Sequence, residues 1–399
     1  MSPEPLGGKP EMTAEDSPRA WRAAEFFAGI GLSRLGMSKA GINVVWSNDI
    51  ARTKYAMFER NFGTSDDHTF IVEDLGRVPA ERLPQDTHLA WASFPCTDLS
   101  IAGGRAGLHR GIASSTFWHF IKALSKLGSA RPPVIALENV TAFATSHSGR
   151  DITSAIRSLN GLGYSVDVLN IDARRFVPQS RPRLFLIGTN APIASVNSPS
   201  PLRPDWLAPI FEDASLVTHK MGVPEPPALL TDGLIDYLEV LPNDDPRWWS
   251  SERVDAFVGS LSALQLERLE VLREGETVAA RTAYRRMRHG IPRWEMRSDG
   301  VAGCLRTSSG GSSKQAVAFL GGGEARIRWM TPWEYASLMG APEYAIEGAK
   351  EHHVYSGFGD AVCAPVVEWL SANYLVPLLA SIELNATCDD AQEIEAVAS

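Results

Sequence analysis

The chain has 399 residues, 44% of them hydrophobic and 21% charged, with a formal net charge of −9. That length suits two unequal domains better than one core, and the composition is that of an ordinary globular protein. No run approaches the roughly 18–20 uninterrupted apolar residues of a membrane span, which argues against a membrane-spanning protein.

Residues 1–20 are polar and Pro-rich with no apolar centre, so they read as a disordered lead-in rather than a signal peptide. The acidic stretch 385–399 reads as a frayed tail. Cys96, Cys304, Cys363 and Cys388 are too widely spaced for CxxC metal chemistry or a disulfide framework. A reducing cytoplasm and no metal are the natural expectations, with each cysteine a small buried hydrophobe unless its setting says otherwise.

The first half alternates short apolar runs with amphipathic segments. Strands are predicted at 24–29, 42–47, 68–73, 88–94, 133–138, 164–170 and 183–189, with helices at 32–40, 51–62, 115–127 and 151–159. This alternation predicts an α/β fold with a doubly wound, mostly parallel sheet, whose ligands sit outside the carboxyl ends of the strands. After Thr189 the pattern lapses into a Pro-rich stretch, a helical pattern near 251–273 and a basic segment. It resumes near Arg326 with a strand, a helix at 332–339 and a closing helix at 364–379. The expected organisation is a catalytic domain at 21–190 that resumes at 318–384, interrupted by a smaller domain at 191–317.

Each early strand ends in unusual chemistry. The first runs into Phe27-Ala28-Gly29-Ile30-Gly31, whose glycines let the backbone turn tightly and approach a ligand at a helix N-terminus. Arg34 stands where a dinucleotide fingerprint would have its third glycine, so the turn alone does not choose among nucleotides, flavins and S-adenosylmethionine. The second ends at Asn48-Asp49, where a carboxylate can hold ribose hydroxyls; the third ends at Glu73-Asp74, where another can accept from an adenine amine. Either acid alone is equally well a helix cap.

The fourth strand delivers Cys96 after Phe94-Pro95, followed by a Gly-rich segment bearing Arg105, His109 and Arg110, a setting that can hold a nucleophilic thiolate. The fifth ends at Glu138, a partly desolvated carboxyl suited to holding a proton. A buried cysteine and a capping glutamate are the plainer alternatives, and pairing on neighbouring strand ends weakens both. From 281 to 314 stand eight basic and two acidic residues, with Tyr284 and Trp294 interleaved. Despite the acidic total charge, that segment favours a polyanion.

Taken together, FAGIG, Phe94-Pro95-Cys96, Glu138-Asn139-Val140, Gln179-Ser180-Arg181-Pro182-Arg183, 326–334 and Gly359-Asp360-Ala361-Val362 resemble the ordered motifs of the C5-cytosine DNA methyltransferases. The resemblance spans 24 to about 380, apart from most of 191–300. It implies a Rossmann-like class I methyltransferase fold with an inserted target-recognition domain. Cys96 would add to carbon 6 of a flipped-out cytosine, Glu138 would hold ring N3, and Arg183, supported by Arg181, would hold the base. S-adenosylmethionine would lie on Phe27, Ala28, Gly29, Ile30, Gly31, Asp49, Ile50, Asp74, Leu75, Asp360 and Val362. DNA would meet Arg105, Gln179, Arg285, Arg286, Arg288, Arg306 and Thr307.

Leu32, Thr97, Ile50, Trp333 and Asp360 depart from the family's usual residues, and Trp46 lies near enough to Ile50 to be an alternative partner for adenine. The partner the resemblance implies is double-stranded DNA, with a restriction endonuclease as a genetic rather than physical partner and a monomer as the default. A tRNA cytosine methyltransferase and an inactive DNA-binding regulator of the same fold remain as alternatives. A nicotinamide oxidoreductase leaves Cys96 and the QSRPR motif unexplained.

Overall fold

The structure, a computed structural model, describes residues 21–95, 115–306 and 314–385. Strands and helices alternate from the start: β1 (Trp21–Phe26), α1 (Leu32–Lys39), β2 (Ile42–Asp49), α2 (Arg52–Phe62), β3 (Thr69–Val72) and β4 (Leu89–Ala92). They continue with α3 (Ser115–Leu127), β5 (Val134–Val140), α4 (Ala142–Thr145), α5 (Arg150–Gly161), β6 (Ser165–Asp172) and β7 (Pro182–Thr189). These strands form one seven-stranded sheet in the order β3-β2-β1-β4-β5-β7-β6, in which only β7 runs antiparallel to its neighbours.

The central strands are uniformly apolar because both sheet faces are covered. Leu89, Ala90, Trp91 and Ala92 are all buried, as are Val134, Ile135, Ala136 and Leu137. On one face Val44, Leu89, Trp91 and Ala136 join the core under α1 and the C-terminal helices. On the other, Ala24, Ala90, Ile135 and Leu137 meet Phe117, Phe120 and Leu124 of α3 and Ile152, Ile156 and Leu159 of α5. At Gly36 a Cβ would lie 2.5 Å from the Ala364 carbonyl oxygen, so the absence of a side chain lets α1 pack directly on the closing helix.

The chain next runs through α6 (Ala208–Glu212) and an irregular stretch that stays with the large domain. Leu207, Ile210 and Leu216 are buried in its core, and the Arg203–Asp167 ion pair ties the stretch to β6. The compact second unit holds α7 (Ser251–Gly259), α8 (Ala263–Glu274), β8 (Ala279–Arg288), β9 (Ile291–Met296), β10 (Ala316–Gly321) and β11 (Glu324–Trp329). Its sheet order is β11-β10-β8-β9, and Trp249, Phe257, Leu269, Ala318 and Ile327 fill its core. The expected boundary at 317 therefore cuts through a sheet, since β10 and β11 pair with each other and β10 with β8. The β8–β9 hairpin, read in sequence only as a basic segment, turns at His289 (φ 51°) and Gly290 (φ 79°), the left-handed pair of a two-residue hairpin loop.

The chain returns through α9 (Pro332–Leu338), α10 (Glu351–Asp360) and α11 (Ala364–Leu370), which continues through a π turn at Ser371–Leu375. The helical run Glu351–Asn385 is long and apolar enough to cross a membrane by length and composition, yet 61% of its most apolar stretch is buried inside the fold. Val366, Val367, Leu370, Leu375 and Leu378 are core residues there.

Candidate active site

The carboxyl ends of β1, β2 and β3 form one edge lined by the expected cofactor residues. Beyond β1 the backbone enters the left-handed region at Phe27 (φ 58°), Gly29 (φ 59°) and Gly31 (φ 81°). Such a conformation is costly for Phe27 and free for glycine. Gly31 caps α1 without a side-chain hydrogen bond, and a Cβ there would lie 2.5 Å from Phe62. Beside this turn, Asp49 accepts from the N–H of Gly29 at 2.9 Å and of Ala51 at 2.8 Å. A carboxylate has about four lone-pair sites, so both oxygens keep capacity for ribose hydroxyls.

Asn48 donates to the carbonyls of Ile71 and Glu73, each at 2.8 Å, fixing the end of β3 where Asp74 begins. Asp74 accepts from Gly76 N–H at 2.9 Å and lies 3.3 Å from His119. Ile50, 68% exposed, offers an aliphatic face beside Asp49. Trp46 is no alternative to it: the ring is buried against Phe26 and its indole N–H donates to the Arg82 carbonyl. The donor set, two carboxylates and an exposed aliphatic side chain beside a glycine turn, fits an adenosine-containing cofactor.

Four expected cofactor residues are buried. The side chains of Ala28, Ile30, Leu75 and Val362 are core, so only their backbones remain available. The Ile30 carbonyl already accepts from Tyr344 at 2.7 Å. Asp360 is half-exposed at the end of α10, paired with Lys54 of α2 at 2.7 Å. No sequence signal linked those two residues.

Further along the edge, Glu138 lies two residues before the end of β5 and is 6% exposed. Arg183 at the start of β7 reaches it, Nε to Oε1, at 2.9 Å. Antiparallel pairing makes this contact, because Arg183 stands opposite Val140 and its side chain can bend back along β5. Asn139 donates to the Phe94 carbonyl at 3.3 Å, joining the end of β5 to the strand end that leads to Cys96. Cys96, Arg105 and Thr307 lie outside the described residues.

Arg181, expected as the support of Arg183 at the base, is 2% exposed and bound to the chain itself. It donates to the carbonyls of Leu305 (2.8 Å), Gly359 (2.9 Å) and Ala361 (2.6 Å), clamping the second unit's return to the turn after α10. Gln179, expected on DNA, is instead fully buried, donating to the Leu338 carbonyl at 2.8 Å and accepting from Leu305 N–H at 3.2 Å. Cys304, missed as a site residue, stands between Arg181 Nη1 (3.4 Å) and Arg183 Nη2 (3.8 Å).

The basic hairpin presents Arg286 and Arg288 on one face, both paired with Glu295, the former at 3.3 Å. Arg285 lies on the other, over the Trp294 ring. Arg306 is exposed at the end of a described segment. Beneath the glycine turn sits a buried polar cluster that sequence reading passed over: Glu25 accepts from Ser33 of α1, with Ser47 at 3.5 Å. Burial pushes the Glu25 carboxyl up to about 7.

A doubly wound sheet of this strand order, with a glycine turn and carboxylates on its carboxyl edge, places the chain in the α/β class that binds adenosine-containing cofactors at that edge. The chain belongs to the C-5 cytosine-specific DNA methylase family, whose sequence model matches residues 21–374. It is similar to the Type II methyltransferase M.Bsp6I of Bacillus sp. (strain RFL6), 24% identical over 89% of this chain and 99% of that one. The match to M.HaeII of Haemophilus aegyptius, 30% identical, covers 43% of this chain and about half of that protein, 51%. Among solved structures, S. pombe Dnmt2 methyltransferase shares the fold with a TM-score of 0.56 at 16% identity, over 90% of this chain and 99% of that one.

Proposed function

We propose that the protein transfers a methyl group from S-adenosylmethionine to carbon 5 of a cytosine in double-stranded DNA. The observation that carries this reading is the Arg183–Glu138 pair, held at 2.9 Å beside the strand end from which the chain proceeds to Cys96. Bound S-adenosylmethionine supplies an electrophilic methyl group. Asp49 and Asp74 would hold its ribose and adenine, Ile50 would cover the ring, and the backbone from Phe27 to Gly31 would line its remainder.

Cys96 is the proposed nucleophile. Its sulfur adds to carbon 6 of the cytosine, which makes carbon 5 nucleophilic. Glu138 holds a proton at ring N3, and Arg183 keeps that carboxyl in place. Loss of the carbon 5 proton to a base then lets the sulfur leave. The cytosine must be extruded from its duplex, at a cost of a few kcal/mol, because the attacked atom is unreachable in the stack. The unit at 249–329 is the proposed recognition domain, with the hairpin arginines and Arg306 on the DNA.

The test is transfer of labelled methyl groups to unmethylated genomic DNA by the wild-type protein and by Cys96→Ser. Labelled 5-methylcytosine that vanishes in the variant supports the reading. Label in tRNA but not DNA would replace it, and cofactor binding without transfer to either would favour an inactive regulator.

A further inference from the structure

Arg181 presents an electrostatic problem. Its guanidinium is 2% exposed, and no carboxylate lies within ion-pair distance among the described residues. Three backbone carbonyls and one sulfur satisfy its terminal nitrogens. Buried charges are ordinarily paired, since carbonyl dipoles replace hydration but leave the net charge uncompensated. Arg183, a second guanidinium with a side chain 14% exposed, reaches the same sulfur at 3.8 Å while holding Glu138.

We propose that Cys304 is ionised and serves as the counter-anion of Arg181 and Arg183, positioning the Arg183–Glu138 pair for the reaction proposed above. The site then reads as alternating charges: Glu138, Arg183, Cys304, Arg181. Without the sulfur anion the two guanidinium groups would repel each other across the gap, and Arg183 would swing away from Glu138. Cys304 is a positioning residue here, since it acts through Arg183.

Among the described residues, Cys304 is influenced by Arg181, Arg183 and Arg306, while Tyr335 of α9 is itself influenced by Cys304. Burial works against ionisation of Cys304, yet the three arginines outweigh it and hold the thiol below its ordinary range. Cys363 also feels Arg181 and Arg183, together with Asp172 and the Val366 backbone, yet burial leads there and pushes its thiol up to about 12. The extended end of the site adds Glu138 from β5, which the Arg183 guanidinium separates from the sulfur.

The inference rests on Glu138 and Arg183 being active-site groups, and its test separates the two. Thiolate ultraviolet absorbance, taken as wild type minus Cys304→Ser across pH, reads ionisation without any assay of transfer. The expected midpoint lies well below the free-thiol value of about 8.5. Site-resolved alkylation of wild-type Cys304 against pH gives the same midpoint with no variant at all. A midpoint at or above the free-thiol value overturns the proposal.

For positioning, Cys304→Ser and Cys304→Ala are expected to lower kcat on DNA by about tenfold or more. Cys304→Asp, which restores a fixed anion, should recover most of that loss, with cofactor affinity unchanged in all three. Ser matching wild type, or Asp failing to rescue a variant that unfolds at the wild-type temperature, overturns it. A wild-type protein inactive on DNA would sink the DNA reading while the absorbance titration still decides whether Cys304 is an anion.

Discussion

Arg183 and Glu138 meet at 2.9 Å although they sit on strands of opposite direction, two places out of register. In the register Glu138 faces Phe185 and Arg183 faces Val140, so the pair forms diagonally. A parallel β7 would carry residue 183 to the other end of the sheet. The single antiparallel strand of the large sheet therefore places a cation beside the carboxylate, where both have lost most of their water.

Glu138→Gln should show what that carboxylate does. The amide keeps the shape but cannot hold a transferable proton, so kcat is expected to fall by about 10²–10⁴, the usual range for removing a general acid or base. Affinity for S-adenosylhomocysteine should stay unchanged, because the cofactor edge at Asp49 is a separate set of contacts. Calorimetric binding and single-turnover methyl transfer check the two halves. An equal loss in both would show that Glu138 is structural.

Asp49→Ala should divide the other way. The wild-type carboxylate anchors Gly29 N–H and Ala51 N–H, and the variant leaves both without that acceptor while removing the proposed ribose partner. Hydrogen bonds to charged groups contribute about 1.5–3 kcal/mol, which corresponds to a rise in cofactor Kd of roughly 10- to 100-fold. Saturating cofactor should restore most of kcat.

The seven strands of the main sheet were legible because short apolar runs alternate with amphipathic segments, and that rule placed Asp49 and Glu138 at the carboxyl edge without choosing between a ligand and a helix cap. What stayed hidden depended on long-range contact. Gln179 and Arg181 stand in a motif with Arg183, the proposed active-site member, but alternation cannot tell which members turn inward to hold Leu305 and Leu338. The β8–β9 hairpin was masked by its own charge: four of the eight residues flanking the turn, Arg285, Arg286, Arg288 and Arg293, hide the alternation that a strand needs. Lys54 and Asp360 are 306 residues apart, and nothing local links them.

Gln179→Leu therefore predicts a loss of stability rather than of sequence recognition. The substitution leaves Leu305 N–H and the Leu338 carbonyl buried without their partner. Such unsatisfied groups cost about 1–3 kcal/mol each. Thermal unfolding should shift down by several degrees, while the pattern of methylated sites in DNA stays that of the wild type. A changed pattern would return Gln179 to the DNA face.

Glu25 gives a pH prediction with a fixed sign. Its carboxyl titrates near 4.5 when ordinary and at about 7 in the fold, with burial as the leading cause. The folded state thus binds this proton more tightly than the unfolded chain does. Its contribution to stability is fully present below 4.5 and is lost as pH rises through about 7. Glu25→Gln keeps an acceptor for Ser33 and removes the titration. It should be more stable than wild type above pH 7 by up to about 3 kcal/mol, with the difference vanishing in acid. Denaturant unfolding at several pH values measures it, and a constant difference would show that Glu25 does not titrate in this window.

The hairpin arginines should differ in their effect on DNA binding because one acid is shared unevenly among them. Glu295 pairs with both Arg286 and Arg288, so neither can be neutralised by phosphate without competing with that carboxylate. Arg293 stands directly opposite Arg286 on the same face, with no ion pair to a described residue. A cation that contacts phosphate releases condensed counterions and steepens the fall of log K with log salt by about 0.9 per contact. Arg293→Ala should therefore flatten that slope by nearly a full contact, and Arg286→Ala or Arg288→Ala by less. Glu295→Gln should steepen it, since it frees two cations at once. Fluorescence anisotropy of labelled duplex across a salt series reads all four slopes. Identical slopes throughout would mean that this hairpin face does not lie against the phosphate backbone.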